Sequence, residues 1–303
     1  MPTRDQSSFP RLRLHSFSDS TALGQALAQQ LHLDCCAIQV HRFPDGESLI
    51  RVRPPAGTHA VVVRSLGNPN AKLLESVLAA DALRRAGASR VTLVAPYLPY
   101  MRQDMVFTPG EPISQRVIGA WLGSSFDAVL TVEAHLHRVR TLAAVVAPGQ
   151  ARSLSAAPLL ADWLQRQRPP AGLIVGPDTE SRPWIEAIAR RVQVPWVVCH
   201  KRRLGDRSVR IELPVPLPHR RAVIFDDIAS SGATLAAVAR ALRTAGATAV
   251  DAVVVHAIFR RGALARIRRA GVNRIISCDT IAHQTNAIFT AAVLARALRR
   301  LRF

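Results

Sequence analysis

Residues 223–235 read VIFDDIASSGATL, with two adjacent carboxylates, Asp226 and Asp227, at the end of an apolar run. A loop of small and hydroxyl residues follows at once: Ser230, Ser231, Gly232, Ala233 and Thr234. Burying a paired charge costs several kcal/mol unless something neutralises it. Backbone N–H groups where such a loop enters a helix make an anion site, with the helix dipole behind them. Serine and threonine hydroxyls add donors, and glycine lets the backbone approach closely. Phosphate in the loop and ribose hydroxyls on the carboxylates would satisfy both halves of the motif. The plain alternative is a helix N-cap at Ser230 or Ser231 preceded by surface acids.

A second signal is a scarcity. The chain has 40 basic residues, yet its only lysines are Lys72 and Lys201. An arginine-rich chain that keeps a lysine at one position points to a compact, flexible ammonium there. Lys72 lies in an ordinary helix-like stretch and carries no expected role.

Elements must position these groups. Strand-like runs are HAVVVRSL (59–66), RVTLVAP (90–96), DAVLTVEAH (127–135), GLIVGPD (172–178), VPWVVCHK (194–201), RAVIFDD (221–227) and AVDAVVVHAIF (249–259). Helix-like segments at 70–87, 179–192 and 232–246 alternate with them. Continuous apolar strands joined through helices imply parallel sheets covered on both faces. The stretches LRRAGASRVTLVAP and LRTAGATAVDAVVVH echo one another, either as repeated halves or as generic helix-to-strand punctuation. The expectation is two tandem α/β domains, 1–150 and 151–303, divided where APGQARSLSAAP breaks the alternation.

Composition narrows the class. With 49% hydrophobic residues over 303 positions, the chain can bury a core of one or two domains. No apolar run approaches the roughly 18 residues that span a bilayer. The first residues, MPTRDQSSFPRLRLHSF, lack the apolar centre of a signal peptide. Cys35, Cys36, Cys199 and Cys278 show no metal-site grouping, which suits buried thiols in a reducing cytoplasm. The net charge of +19 attracts anions, but the arginines are spread out with little aromatic interleaving, which argues against nucleic acid and for a solvated basic surface or small anionic substrates.

VIFDDIASSGATL resembles the phosphoribosyl-diphosphate signature shared by type I phosphoribosyltransferases and ribose-phosphate diphosphokinases. That motif alone leaves open a base-transferring enzyme, an enzyme making the sugar diphosphate, or a non-catalytic relative. Four further stretches resemble the diphosphokinases in the family's order. PYLPYMRQDMVFTPGEPIS (96–114) resembles the nucleotide segment, with Arg102 and Gln103 on ATP; Met105 and Val106 stand where a basic residue is usual. The alternative there is a structural Arg102–Asp104 pair. VEAHLHR (132–138) places His135 at the metal- and nucleotide-contacting position, with Glu133 for the usual aspartate and no role for His137. GPDTESRPWI (176–185) puts Asp178 at a strand end, where a carboxylate suits magnesium or an N-cap; Thr179, Glu180 and Ser181 follow it, as in the archaeal-type branch. CHKRRLGDRSVRIEL (199–213) matches Lys201 and Arg203 to the catalytic pair, with Gly205 and GDRS suited to a loop that closes over substrate. RFPDGES (42–48) resembles the segment whose aromatic stacks on adenine, giving Phe43, Asp45 and Glu47 to ATP.

The resemblance implies two phosphoribosyltransferase-like domains, each with a mostly parallel sheet flanked by helices. It implies a cytoplasmic homo-oligomer, a dimer or higher, with nucleotide sites shared between subunits. The implied reaction moves the β,γ-diphosphoryl group of MgATP to the 1-hydroxyl of ribose 5-phosphate, giving phosphoribosyl diphosphate and AMP. His135 and Asp178 would serve Mg2+, and Asp226, Asp227 and residues 230–234 would hold ribose 5-phosphate. Ala233 stands where diphosphokinases often carry glycine.

Overall fold

The computed structural model describes residues 12–55, 57–136, 138–203, 209–213 and 220–301. The chain forms two compact units, Met1–Leu154 with Ala291–Phe303, and Ser155–Thr290.

The first unit is a seven-stranded sheet in the order β3-β2-β1-β4-β5-β6-β7. Its strands are β1 (Leu12–Phe17), β2 (Cys35–Arg42), β3 (Ser48–Arg51), β4 (His59–Val63), β5 (Arg90–Val94), β6 (Ala128–Val132) and β7 (Gln150–Leu154). All pairings are parallel except β2 with β3, a hairpin. The helices are α1 (Thr21–Leu31), α2 (Pro69–Arg85) and α3 (Ser114–Ser125). Every residue of β4 and β6 is buried, which explains why both read as unbroken apolar runs. Phe17, Leu73, Leu83, Leu93, Leu122 and Phe126 form the centre of this core.

The second unit opens with α4 (Ala157–Gln165) and carries a fully parallel six-stranded sheet, β15-β14-β13-β12-β8-β9. Its strands are β8 (Leu173–Gly176), β9 (Trp196–Val198), β12 (Arg221–Ala229), β13 (Ala249–Ala257), β14 (Arg274–Cys278) and β15 (Asn286–Ile288). A separate antiparallel ribbon joins β10 (His200–Arg203) to β11 (Val209–Glu212). The helices are α5 (Arg182–Val192), α6 (Ala233–Thr244) and α7 (Ala263–Arg269). Val175, Ile224, Leu235, Leu242, Val254 and Ile267 are central to its core. The sequence expectation of α/β architecture with mostly parallel sheets is met in both units.

Three differences from the sequence reading are informative. VPWVVCHK is not one strand: buried Cys199 ends the pairing with the main sheet, and His200 starts the ribbon. The domain reading ran to residue 303, but α8 (Ala291–Arg299) joins the first unit. It packs on α1, and Arg299 Nη2 donates to the Gln30 carbonyl. The physical reason is its apolar face: Leu294, Ala295 and Leu298 are buried, as are Leu23 and Leu27 of the helix it packs on. The echoed Ala-Gly motif, finally, is helix punctuation. Gly87 donates to the Arg84 carbonyl and Ala88 to Leu83; Gly246 donates to Arg243 and Ala247 to Leu242. The same cap recurs after α7, where Gly271 donates to Arg268 and Val272 to Ile267. All three glycines have positive φ, as this C-cap requires.

Candidate active site

In open parallel sheets ligands bind beyond the carboxyl ends of the strands. In the second unit that edge is where β12 carries Asp226 and Asp227. The strand continues past them to Ala229, with Asp226 opposite Val254 and Ile228 opposite His256 on β13. Neighbouring β8 stops at Gly176, and Ile224 is opposite Val175, so the chain leaves β8 at Pro177–Asp178 beside Asp226. Desolvation, then the negative charges of Asp227 and Asp178, push the Asp226 carboxyl well above its usual range. Part of this charge has an internal answer, because Asp227 Oδ1 accepts the Ile228 N–H at 2.7 Å. The same edge holds Cys199, whose thiol burial and the Asp178 charge push up to about 12.

Asp178 also caps the short turn at Thr179–Ser181, accepting from the Ser181 N–H at 3.3 Å. The N-cap reading is therefore met, and it is compatible with the magnesium reading. Among the described residues no group of three or more His, Cys, Asp or Glu side chains could enclose a metal alone. Three mutually repelling carboxylates at one strand edge still fit a cation that takes most of its ligands from phosphate and water, as magnesium does.

The loop after β12 differs in one detail from the simple cap. Gly232, not either serine, is the residue preceding α6, with φ 72° and ψ 8°. Ser231 Oγ accepts from the Ala233 N–H at 3.4 Å. A side chain on Gly232 would approach Ile267 Cδ1 to 2.8 Å and the Ala263 carbonyl to 3.2 Å. The loop is seated from outside: the Arg260 N–H donates to the Ser230 carbonyl at 3.0 Å and Arg266 Nη1 to the Ser231 carbonyl at 3.2 Å. Ser231 and Ala233 are exposed, and Ser230 and Thr234 are half-buried, so the loop is open to solvent.

The catalytic pair expected at Lys201 and Arg203 lies on β10, opposite Ile211 and Val209 of β11. Their side chains, like Gly205 and the GDRS stretch, lie outside the described residues.

In the first unit the expected nucleotide residues also gather at the carboxyl edge. Arg102 and Gln103 are in the segment after β5, and His135 follows β6, its neighbour. The two segments are tied together: Arg138 Nε meets Asp104 Oδ1 at 3.3 Å. Asp104 therefore pairs with Arg138 rather than with Arg102, which is exposed. Gln103 Oε1 accepts from Ser114 Oγ at 2.6 Å, and its carbonyl accepts from the Gln115 N–H. These bonds fix Gln103 to the start of α3. Glu133 has a left-handed φ of 41°, and its N–H donates to the Leu154 carbonyl. That turn carries the half-buried His135 clear of β6; His137 lies outside the described residues.

Phe43–Glu47 forms the turn of the β2–β3 hairpin at the same edge. Gly46 takes φ 97°, and Asp45 Oδ1 accepts from the Glu47 N–H at 3.1 Å. Phe43 is 40% exposed, with its ring 4.8 Å from His41 in an edge contact. Sequence reasoning missed what supports this edge. Lys72, assigned no role, reaches Asp19 at 3.0 Å and donates to the Ser65 carbonyl. Glu75 and Arg64 form a buried ion pair at 2.6 Å. No local pattern marks them, because the partners are far apart in the chain; an acid on the apolar face of a helix is the only signal.

Residues 12–125 match the family model for the N-terminal domain of ribose phosphate pyrophosphokinase, and residues 156–291 match the phosphoribosyl transferase domain. A ribose-phosphate pyrophosphokinase of Methanopyrus kandleri is 33% identical over 287 residues, covering 94% of this chain and 97% of that protein. One from Pyrococcus abyssi is 32% identical over 259 residues, covering 85% and 88%. Both are archaeal, in keeping with the Thr-Glu-Ser that follows Asp178. Among solved structures, phosphoribosylpyrophosphate synthetase from Mycobacterium smegmatis shares the fold, with a TM-score of 0.83 over 95% of this chain and 98% of that one at 24% identity. Both halves of the chain are accounted for in the expected order, and the protein belongs to the ribose-phosphate pyrophosphokinase family.

Proposed function

We propose that the protein transfers the β,γ-diphosphoryl group of MgATP to the 1-hydroxyl of ribose 5-phosphate, yielding phosphoribosyl diphosphate and AMP. The observation that carries this reading is the edge of the second sheet. A pair of adjacent carboxylates on β12, with Asp226 desolvated beside the charge of Asp227, leads straight into a left-handed Gly232 and the amino end of α6. Asp226 and Asp227 hold the ribose hydroxyls, and residues 230–234 take the 5-phosphate on backbone N–H and hydroxyl donors. The 1-hydroxyl attacks the β-phosphorus in line, the bond to the α-phosphate oxygen breaks, and AMP leaves with that oxygen. Such transfers depend on positioning and charge neutralisation more than on covalent steps. Lys201 and Arg203 stabilise the charge on the moving phosphoryl group.

Mg2+ fits the carboxylates at Asp178 and Asp226–Asp227, and His135 serves the nucleotide end. When bound, the ion neutralises phosphate charge and relieves the repulsion among these acids. Phe43, Asp45, Glu47, Arg102 and Gln103 contact ATP, and a homo-oligomer completes that site. A cytoplasmic setting agrees with four cysteines that form no disulfide. Among the described residues no helix is long and apolar enough to cross a membrane.

Phosphorus NMR of the protein with ribose 5-phosphate, ATP and magnesium tests the reading. AMP appearing in equal amount with a new sugar diphosphate is the expected result. ADP with a sugar bisphosphate would mean attack at the γ-phosphorus. Binding of ribose 5-phosphate without turnover would make the protein a non-catalytic relative.

A further inference from the structure

The Phe43–Glu47 turn leaves the first sheet between Arg42, the last residue of β2, and Ser48, the first of β3. Arg42 and Ser48 are direct cross-strand partners, so their side chains leave the same face. Both end on a single atom. Glu75 Oε1, from α2, accepts from Arg42 Nε at 3.2 Å, Arg42 Nη2 at 3.1 Å and Ser48 Oγ at 2.9 Å. The other oxygen, Oε2, accepts from Arg64 Nη2 at 2.6 Å. Glu75 is fully buried and Arg64 is 3% exposed, with its guanidinium 3.8 Å over the Phe17 ring. Arg64 is held in turn by Asp19 at 3.2 Å, which also meets Lys72.

Burial alone would raise the Glu75 carboxyl, but the bonds from Arg64 and Ser48, the Arg64 charge and the Arg42 bond outweigh it and hold it below its usual value. The anchor is thus an anion at neutral pH. Within the turn, the Phe43 N–H donates to the Glu47 carbonyl and the Gly46 N–H to the Phe43 carbonyl, each at 2.9 Å. A turn closed on itself moves as one piece, and its direction is then set by its two stems.

We propose that Glu75 is a positioning residue for nucleotide recognition: one oxygen of its buried carboxylate fixes both stems of the Phe43–Glu47 turn, and Arg64 holds that carboxylate in place. The inference rests on the reading of this turn as nucleotide-contacting. A stacking ring has to be set to within a fraction of an ångström by groups that are themselves locked, and this carboxylate is the locked group.

Steady-state kinetics with ATP and ribose 5-phosphate varied separately tests the idea in Arg42→Met, Ser48→Ala, Glu75→Gln and Phe43→Ala. Loss of a charge-assisted bond at one stem should raise KM for ATP by about three- to tenfold. KM for ribose 5-phosphate and kcat should stay within about twofold, since the turn only orients the nucleotide. Arg42→Lys should restore part of the loss. Glu75→Gln also leaves Arg64 under-compensated and lowers the melting temperature, whereas the Arg42 side chain is 62% exposed, so Arg42→Met breaks one stem without a buried charge. If Phe43→Ala leaves KM for ATP unchanged, the turn does not contact nucleotide and the proposal falls with that reading. If Phe43→Ala raises it but Arg42→Met and Ser48→Ala do not, the nucleotide reading stands and the Glu75 clamp is overturned. Equal rises in both KM values would reduce Glu75 to a fold determinant.

Discussion

Asp226 is a group whose surroundings work against folding so that they can work for binding. Its folded pKa is raised by desolvation and by the charges of Asp227 and Asp178. A raised carboxyl binds its proton more tightly when folded than when unfolded. Stability therefore falls as pH rises from the ordinary aspartate range through the raised folded value. Asp226→Asn removes that loss, so the ligand-free variant should melt a few degrees higher than the parent at pH 8, with the gap closing toward pH 4. Its turnover should be abolished. Melting curves at the two pH values check this; a constant gap would mean the carboxylates do not repel. For Lys201→Ala the expected pattern is the opposite one. Its kcat should drop by about a hundredfold or more, with ribose 5-phosphate affinity by calorimetry largely intact. Equal loss of binding and rate would move Lys201 from charge stabilisation to substrate binding.

At the scale of elements the test position is the junction of β12 and α6. Gly232 has a left-handed φ and faces Ile267 and the Ala263 carbonyl. Gly232→Ala meets both the backbone penalty of about 1–2 kcal/mol and a collision with α7. KM for ribose 5-phosphate should rise about tenfold or more, while KM for ATP holds; an unchanged KM would remove the loop from the 5-phosphate site. How legible such elements were depended on burial. Strands β4, β5, β6, β8, β12 and β13 are central and covered on both faces, so their sequences are apolar runs with clear ends. Strands β2, β3 and β7 were missed because CCAIQVHR, SLIR and QARSL sit toward the edge of the sheet and keep exposed positions. Strands β1 and β14 were missed although largely buried, because LRLHSF and RIISC are short and interrupted by polar residues. Asp226, Asp227 and residues 230–234 were legible because strand, acids and loop are contiguous in the chain. Glu75 was not, since the groups it joins are Arg42, Ser48 and Arg64, brought together by a hairpin, a strand and a helix. The pairing of Asp104 with Arg138 was missed for the same reason.

At the scale of the whole molecule, contiguity in sequence and membership of a unit part company at Thr290. The second unit runs from Ser155 to Thr290, and α8 beyond it packs on α1 of the first. Ending the chain at Thr290 should therefore weaken the first unit, although all the lost residues adjoin the second. The expected outcome is a lower melting temperature and weakened ATP binding, with ribose 5-phosphate binding retained. The reverse pattern would mean that α8 belongs functionally to the sugar site. The same topology sets an order of events at the ribosome. Everything in the second unit has been made by Thr290, whereas the first, begun earlier, waits for α8 to pack on α1. The half encoded first is the half completed last. Until its closing helix emerges it exposes an apolar stripe that a nascent-chain chaperone would recognise.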